Sequence, residues 1–364
     1  MNLSVFKSIT IKIGSNVLTD EEGMLHVERV SHLVDQIAQL HKNNKKIILI
    51  SSGAVAAGRA MVKVSKKTDM VSSRQLLSSV GQVKLLNTYS SLFENHNIQC
   101  AQVLVTKQDF RSREHYLNMK NCLTTLLDNG IVPIINENDA VSVTALMFTD
   151  NDELAGLLAS MMSSEALFIL SNVNGIYNGD PKNPDSEVIR TINSRSTNLS
   201  EYISTTKSDF GRGGMLTKCR IAQKTAANGI SVHIANGTHK NILVDLNKSH
   251  QKVEHTQFIP GEKHPAIKKW MAYSESFTNA EVHINQGAYD ALNSNKATSL
   301  LLAGVIKIIG EFKKGDLLKI ISEDGETVGI GKAKYDRLKA EEHMSDEKYQ
   351  PLIHYDYLYL FSDI

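Results

Sequence analysis

The chain has 364 residues, a formal net charge of +1, 41% hydrophobic and 22% charged residues, and six prolines. This balance is typical of a globular protein of two or three domains, and it excludes disordered, collagen-like and fibrous classes. Three cysteines in no CxxC spacing, no apolar run of about 20 residues and no signal-peptide pattern lead us to expect a cytoplasmic protein without a membrane span.

Through the first 245 residues, short β-branched runs alternate with stretches of helical periodicity. Between the first two runs, apolar residues recur from Val27 to Ala38 at spacings of three and four, which predicts an amphipathic helix. Strands that alternate with helices favour a parallel sheet covered on both faces. The predicted strands comprise residues 8–13, 46–50, 99–105, 131–135, 166–170, 231–235 and 241–244.

The pattern changes after residue 245. Residues 251–275 are polar and contain Pro260 and Pro265, so we predict a linker or mobile loop there. Residues 276–364 carry 10 Lys and Arg against 14 Asp and Glu, a net charge of −4. We therefore expect no RNA binding by this part, because RNA binding depends on basic side chains. Short runs bounded by turn residues predict a small, mostly β domain in this part, with strands at 280–284, 304–309, 317–321 and 327–333 and helical pattern at 287–292 and 335–339.

Ligands of parallel sheets bind at the carboxyl ends of the strands, so the loops after the predicted strands are the candidate sites. The sequence contains no P-loop pattern (GxxxxGK followed by Ser or Thr), no HExxH helix and no GxSxG elbow. These absences exclude the commonest ATPase, zinc-protease and hydrolase patterns. What remains is a set of polar clusters, each directly after an apolar run.

The first two clusters contain a lysine and a small-residue turn. Lys12 interrupts the apolar run ITIKI, and a buried ammonium group needs an anion, although a lysine reaching the surface fits this position too. Residues 51–54, including Ser52, follow KIILI, and small residues at a helix start let backbone N–H groups approach an anionic ligand. A simple tight turn explains the second cluster equally well.

Three further clusters follow later strands. Asn136 and Asp139 lie directly after IVPII, and Asp150 begins a helical run in which Asp152 complements the helix dipole. Residues 211–218 form a glycine-rich loop that ends in Lys218, and such a loop can wrap phosphate. Two lysines, flexible backbone and several amides and carboxylates at strand ends are the components that phosphoryl transfer requires.

The ordered motifs IKIGSNVLTD, SSGAVAAGR, IVPIINENDAV, TDNDELA, NGIYNGDPKNP and GRGGMLTK resemble the amino acid kinase family over about residues 8–245. Within that family they resemble the branch that phosphorylates free glutamate. The tail, with INQGAYDAL, SLLLAGVIKIIGEFKKGD and ETVGIGKAKY, looks like a PUA domain. We therefore interpret residues 1–250 as an αβα sandwich around a mainly parallel sheet, 251–275 as a linker and 276–364 as a PUA-like barrel domain.

The resemblance also implies roles for individual residues. Lys12 and Lys218 would stabilise the transferring phosphoryl group, and Asp152 would hold both lysines. The residues implied to bind glutamate are Ser52, Asn136, Asp139 and Asn151. The residues implied to bind ATP are Lys12, Ser171, Asn172, Arg212, Gly213, Gly214, Met215, Leu216, Thr217 and Lys218; Ser171 and Asn172 stand where the family usually has Thr-Asp.

The implied reaction is the transfer of phosphate from ATP to the γ-carboxylate of L-glutamate, giving L-glutamyl 5-phosphate, the first step of proline synthesis. A carboxylate with a pKa near 4.3 is already ionised at neutral pH and needs no general base. Mg²⁺ is expected on ATP oxygens rather than in a protein metal site. The resemblance further implies feedback inhibition by proline and a homo-oligomer, either a dimer or a tetramer.

Three alternatives stay open from the sequence. The chain could be another amino acid kinase, such as an N-acetylglutamate kinase. It could be an RNA-binding protein with a PUA domain, or a regulatory relative without activity.

Overall fold

The computed structural model describes residues 5–142, 148, 150–181, 183–193, 214–249, 253–275, 278, 280–294, 297–344, 346 and 349–361. The chain divides into two compact units, Met1–Lys263 and His264–Ile364. Across the described ranges, no helix is both long enough and apolar enough to cross a membrane.

The first unit contains an eight-stranded sheet in the order β3-β4-β2-β1-β5-β7-β8-β6. Every neighbouring pair is parallel except β7 and β8, which are antiparallel. The predicted mainly parallel sheet is therefore confirmed. Its strands are β1 (Ser8–Ile13), β2 (Lys46–Ser51), β3 (Cys100–Val105), β4 (Val132–Glu137), β5 (Ala166–Ser171), β6 (Thr191–Asn193), β7 (Ser231–Asn236) and β8 (His255–Ile259).

Helices cover both faces of this sheet. The helices are α1 (Ser15–Leu18), α2 (Val27–Lys42), α3 (Ala54–Arg59), α4 (Met70–Glu94), α5 (Arg113–Asp128), α6 (Asn151–Met162), α7 (Met215–Ala227) and α8 (Ile242–Ser249), with a 3₁₀ turn at Lys107–Phe110. The alternation along β1 separates the two faces: Ile9 and Ile11 join the apolar core that contains α2, whereas Lys12 pairs with Asp152 of α6. The αβα arrangement places α6 against the side of β1 that carries the lysine.

Two predictions about this region are wrong. Residues 242–244 of the predicted strand 241–244 belong to helix α8, because Ile242, Leu243 and Leu246 recur at helical spacing and all three are buried in the core. A short apolar run fits either structure, so periodicity alone did not decide it. The predicted linker at 251–275 instead contains β8 and a helix, α9 (Ala266–Ala272), and the boundary between the units falls after Lys263.

The second unit is built on a five-stranded sheet in the order β10-β9-β11-β12-β13. Strands β9 and β11 are parallel, and the other neighbours are antiparallel. Leu318, Ile320 and Val282 are buried in its own apolar core, which confirms the small, mostly β domain. After α9, the elements of this unit are, in chain order, β9 (Ala280–Ile284), α10 (Gln286–Leu292), a 3₁₀ turn (Leu302–Gly304), β10 (Val305–Ile309), β11 (Leu317–Ile321), β12 (Thr327–Ala333), α11 (Arg337–Glu342) and β13 (Ile353–Leu360).

In the first unit, α3 and α4 pack with their backbones in contact at two glycines. A Cβ atom on Gly81 would lie 1.8 Å from the carbonyl oxygen of Ala54, and one on Gly58 would lie 2.0 Å from that of Leu77. Neither contact can be relieved by moving a side chain, because the opposing atoms are backbone. Only glycine at these two positions allows helices α3 and α4 to approach this closely.

We therefore expect Gly81→Ala to destabilise the first unit by about 1–3 kcal/mol or more, since the added methyl group overpacks a backbone contact. Denaturant unfolding measures this loss. Ser79→Ala is the matched control, because Ser79 is exposed on the same helix. A Gly81→Ala protein as stable as the control would contradict the close packing of these helices.

Candidate active site

The carboxyl ends of β1, β2, β4 and β5 border a cleft of about 1890 Å³ in the first unit. This is the edge at which parallel sheets bind ligands. Most of the site residues predicted from the sequence meet there. Those that line the cleft are Lys12, Ser52, Asn136, Asp139, Asn151, Asp152, Ser171, Asn172, Met215 and Lys218.

The centre of the cleft is a carboxylate held between two lysines. Asp152 Oδ1 lies 2.6 Å from Lys12 Nζ, and Asp152 Oδ2 accepts a hydrogen bond from Lys218 Nζ. Only 1% of the Asp152 side chain is exposed, against 8% for Lys12 and 12% for Lys218. The arrangement joins β1, α6 and α7, which are far apart in the sequence.

The charges of this cluster determine its protonation. Burial would raise the pKa of Asp152, but the charges of Lys12 and Lys218 hold it well below its usual range. Burial lowers the pKa of Lys12, against the opposing charge of Asp152. For Lys218, burial alone would lower the pKa, yet the charge and hydrogen bond of Asp152 raise it above its ordinary value. Asp152 is therefore ionised at neutral pH and holds Lys218 in its ammonium form.

Helix α6 starts at the cleft because Asp150 caps it. Asp150 Oδ1 accepts hydrogen bonds from the backbone N–H groups of Asp152, at 2.9 Å, and Glu153, at 3.1 Å. Such a cap fixes the direction of the first helical turn. It thereby orients Asn151 and Asp152 toward the strand ends, as the sequence predicted for a helix beginning here.

A second cluster consists of neutral polar groups. The side-chain amide of Asn151 donates to Ser52 Oγ at 2.9 Å and to Asn136 Oδ1 at 3.0 Å. Asn136 in turn donates from Nδ2 to Gln82 Oε1 of α4 at 3.0 Å. Three residues predicted to bind substrate are thus in direct contact, and Gln82, which the sequence did not reveal, supports them.

Asp139, the fourth residue predicted to bind substrate, has a partner that the sequence did not predict. Its Oδ1 accepts hydrogen bonds from Arg74 Nε at 2.9 Å and from Arg74 Nη2 at 2.7 Å. Glu137 lies farther away, with its Oε2 4.0 Å from Arg74 Nη2. Arg74 is on α4 and lines the cleft, so a guanidinium group joins the site.

The glycine-rich loop is only partly described. Arg212 and Gly213 lie outside the described residues. Gly214 is the N-cap of α7 and makes no side-chain capping bond, which leaves the first-turn N–H groups without a side-chain cap. Met215 lines the cleft, whereas Leu216 and Thr217 lie half-buried on the same helical turn and are not among its lining residues.

The predicted nucleotide pair lies at the end of β5. Ser171 Oγ is 3.4 Å from Asn172 Oδ1, and both residues line the cleft. Within the described part of the chain, no three His, Cys, Asp or Glu side chains lie in an arrangement that could hold a metal ion.

Comparison with known proteins supports the same interpretation of the chain. The model of the amino acid kinase family matches residues 7–236, and that of the PUA domain matches residues 280–347. A glutamate 5-kinase from Bacteroides thetaiotaomicron is 54% identical over 98% of this chain and 99% of its own length. One from Chlorobaculum tepidum is 47% identical over 98% of each chain.

Among solved structures, a substrate complex of isopentenyl phosphate kinase shares the fold, with a TM-score of 0.51 and 17% identity over 70% of this chain and 100% of its own. At that identity the similarity concerns the fold alone. The family model covers well over half of the chain and the two relatives match almost its whole length, and on this evidence the chain belongs to the amino acid kinase family.

Proposed function

We propose that this chain transfers the γ-phosphoryl group of ATP to the γ-carboxylate of L-glutamate, giving ADP and L-glutamyl 5-phosphate, the first step of proline synthesis. The observation that carries this proposal is the pair of lysines, Lys12 and Lys218, held by one buried carboxylate at the carboxyl ends of the strands. The names of the two relatives, each matched over almost its whole length, support glutamate as the substrate.

The chemistry suits these residues. The γ-carboxylate of glutamate is ionised at neutral pH, so it can attack phosphorus without losing a proton to a base. The barrier comes from bringing one anion to another and from the charge that spreads over the phosphoryl oxygens. Lys12 and Lys218 donate to those oxygens, and Asp152 keeps both ammonium groups in position before the substrates arrive.

The neutral cluster has a different task in this proposal. Ser52, Asn136 and Asn151 surround the end of the cleft next to the lysines, and their hydroxyl and amide groups hold substrate without adding negative charge. Carboxylates at this position would repel the glutamate anion. The site therefore combines fixed positive charge for the phosphoryl group with neutral donors for the amino acid.

ATP fits the other side of the cleft. The uncapped first turn of α7 offers backbone N–H groups to phosphate, and Ser171 and Asn172 lie at the neighbouring strand end. Both oxygens of Asp152 are engaged by lysines, and one oxygen of Asp150 caps α6, so the cleft suits Mg²⁺ held mainly by ATP oxygens. There Mg²⁺ would neutralise charge on the β- and γ-phosphates.

The test is an assay in which hydroxylamine traps the acyl phosphate as a hydroxamate. With ATP, Mg²⁺ and L-glutamate, we expect hydroxamate and ADP to form in equal amounts. N-acetyl-L-glutamate in place of L-glutamate should give little of either. Equal or faster turnover of N-acetylglutamate, or ADP release without hydroxamate, would contradict the proposed substrate.

We also propose that the chain works in the cytoplasm as a homo-oligomer, a dimer or a tetramer, that proline inhibits it, and that it does not bind RNA. The family resemblance supports the first three points, and the charge of −4 in residues 276–364 supports the last. Light scattering, inhibition by added L-proline and a tRNA shift assay at physiological salt test them separately.

A chain ending at Lys263 is expected to keep the phosphorylation of L-glutamate, because all residues that line the cleft belong to the first unit. The hydroxamate assay measures this activity, and circular dichroism shows whether the shortened chain is folded. A folded, soluble chain of residues 1–263 without turnover would show that the second unit is needed for catalysis.

A further inference from the structure

Arg74 places a guanidinium group in the cleft beside Asp139. About 31% of its side chain is exposed, against 8% for Asp139. Both N–H groups that Arg74 gives to Asp139 go to the same oxygen, Oδ1. Among the described residues, Arg74 Nη1 and Asp139 Oδ2 make no hydrogen bond.

This geometry differs from a closed ion pair. In the usual side-by-side pairing, two nitrogens of arginine meet two oxygens of the carboxylate, so that each oxygen has a partner. Here Asp139 Oδ2 is left as an acceptor and Arg74 Nη1 as a donor, and both residues line the cleft. The pair can therefore accept from an ammonium group and donate to a carboxylate at the same time.

The α-carbon of a free amino acid carries these two groups. The pair also lies at a suitable place, because Asp139 is three residues beyond Asn136, and a segment of that length spans at most about 10 Å. Asn136 contacts Asn151, which directly precedes Asp152 of the lysine cluster. A substrate whose reacting carboxylate is two methylene groups from its α-carbon could thus reach from the lysines toward the pair.

We propose that Arg74 binds the α-carboxylate of the substrate while Asp139 binds its α-ammonium group, so that the pair selects free α-amino acids. This inference rests on the proposed phosphorylation of L-glutamate and adds a residue to it. Removal or acylation of the α-amine leaves Asp139 Oδ2 without a partner, and removal of the α-carboxylate leaves Arg74 Nη1 without one. Unpaired charges in a cleft penalise both kinds of analogue.

A simpler role for Arg74 would be to hold Asp139 in place. In that case Arg74 would affect recognition of the α-ammonium group only, through Asp139. The two roles differ in how the enzyme responds to substrates that lack one group, so matched analogues separate them. 4-Aminobutyrate is glutamate without the α-carboxylate, and glutarate is glutamate without the α-ammonium group.

The experiment measures kcat/KM for L-glutamate, 4-aminobutyrate and glutarate with the full chain and with Arg74→Gln and Arg74→Lys. Where an analogue turns over too slowly, its inhibition constant against L-glutamate is used. Lys84→Gln is the control, because Lys84 is exposed on the same helix and does not line the cleft. Denaturant unfolding of each variant identifies any that fail to fold.

We expect kcat/KM of the unaltered chain to be at least about tenfold higher for L-glutamate than for 4-aminobutyrate. A charge-assisted hydrogen bond of about 1.5–3 kcal/mol accounts for a ratio of this size. Arg74→Gln should reduce this preference by about tenfold or more, while the preference over glutarate and the KM for ATP are kept. Arg74→Lys should retain part of the preference, since the charge remains but the planar fork is lost. Lys84→Gln should behave like the unaltered chain.

A folded Arg74→Gln protein with an unchanged preference over 4-aminobutyrate would overturn the proposal, and loss of the preference over glutarate alone would assign Arg74 to positioning Asp139. If Arg74→Gln does not fold, the same comparison is made with Arg74→Lys. Failure of the proposed function is separate, because the unaltered chain would then form no hydroxamate from L-glutamate at all.

Discussion

Lys218→Met is expected to lower kcat for L-glutamate phosphorylation by two to three orders of magnitude while the protein stays folded. Loss of one donor to the transition state typically costs about 2.7–4 kcal/mol. The fold should survive because Asp152 keeps its ion pair with Lys12 at 2.6 Å, so no charge is left alone in the interior. Lys12→Met is expected to act in the same way, since Lys218 then remains as the partner of Asp152.

Arg220→Met is the control for Lys218→Met, because Arg220 is exposed two residues further along α7. Both proteins are compared by hydroxamate formation at saturating ATP and glutamate. If the folded Lys218→Met protein keeps more than half of the activity, Lys218 does not stabilise the transferring phosphoryl group. The double variant Lys12→Met/Lys218→Met should lose less activity than the product of the two single fold-losses. The reason is that the two lysines share one carboxylate and act on one phosphoryl group.

The lysine cluster shows what the sequence could predict. A lysine inside an apolar run and an aspartate at a helix start both lie at the carboxyl ends of predicted strands, and parallel strands bring those ends together. The burial of its charge predicts that Lys12 needs an anionic partner, and the family resemblance implied that this partner is Asp152, which the structure places 2.6 Å away. Six of the eight strands of the first unit, β1 to β5 and β7, were predictable as well, because each is a short apolar run.

Arg74 was not predictable in this way. Its partner Asp139 lies 65 residues away, and nothing in the helical pattern around Arg74 distinguishes it from an exposed arginine on a helix. Only the packing of α4 on α3 brings it to the cleft. The sequence predicted Asp139 itself as a carboxylate open to substrate, and the structure shows one of its oxygens already occupied.

Strand β8 was missed because its sequence, HTQFI, looks polar. Its polar groups are buried but hydrogen-bonded: His255 Nε2 lies 3.0 Å from His233 Nδ1, and Thr256 Oγ1 accepts from the backbone of Ile176 at 2.7 Å. A buried polar side chain with a partner costs little, so composition alone did not show that this segment belongs to the sheet. Periodicity detects apolar burial and not the burial of satisfied polar groups.

Asp152→Asn is expected to cause the largest combined loss of activity and stability. The substitution keeps the shape of the side chain but removes the charge that Lys12 and Lys218 share. Two ammonium groups then face each other in the interior without a counter-ion, and breaking a buried ion pair by removing one partner costs about 3–5 kcal/mol. The lysines also lose their fixed position, so kcat should fall at least as far as in either lysine variant.

The dependence on pH gives this prediction a second readout. Because the pKa of Asp152 is held below its unfolded value of about 3.9, the stabilisation is complete above that pH and is lost as pH falls through the lower folded-state pKa. The free energy of unfolding of Asp152→Asn should therefore lie below that of the unaltered chain by a constant amount above about pH 5, and by less near about pH 3.

Denaturant unfolding at several pH values measures the difference, and the double variant Lys12→Met/Asp152→Asn tests its cause. Removing one ammonium group from the pair should restore part of the stability that Asp152→Asn loses, although it restores no activity. This opposite response of stability and activity follows from a site whose charges are placed for the substrate rather than for the fold. Two results would contradict this prediction: an Asp152→Asn protein as stable as the unaltered chain at pH 7, or a Lys12→Met/Asp152→Asn protein less stable than Asp152→Asn alone. Either would mean that Asp152 does not stabilise the fold by offsetting the repulsion between Lys12 and Lys218.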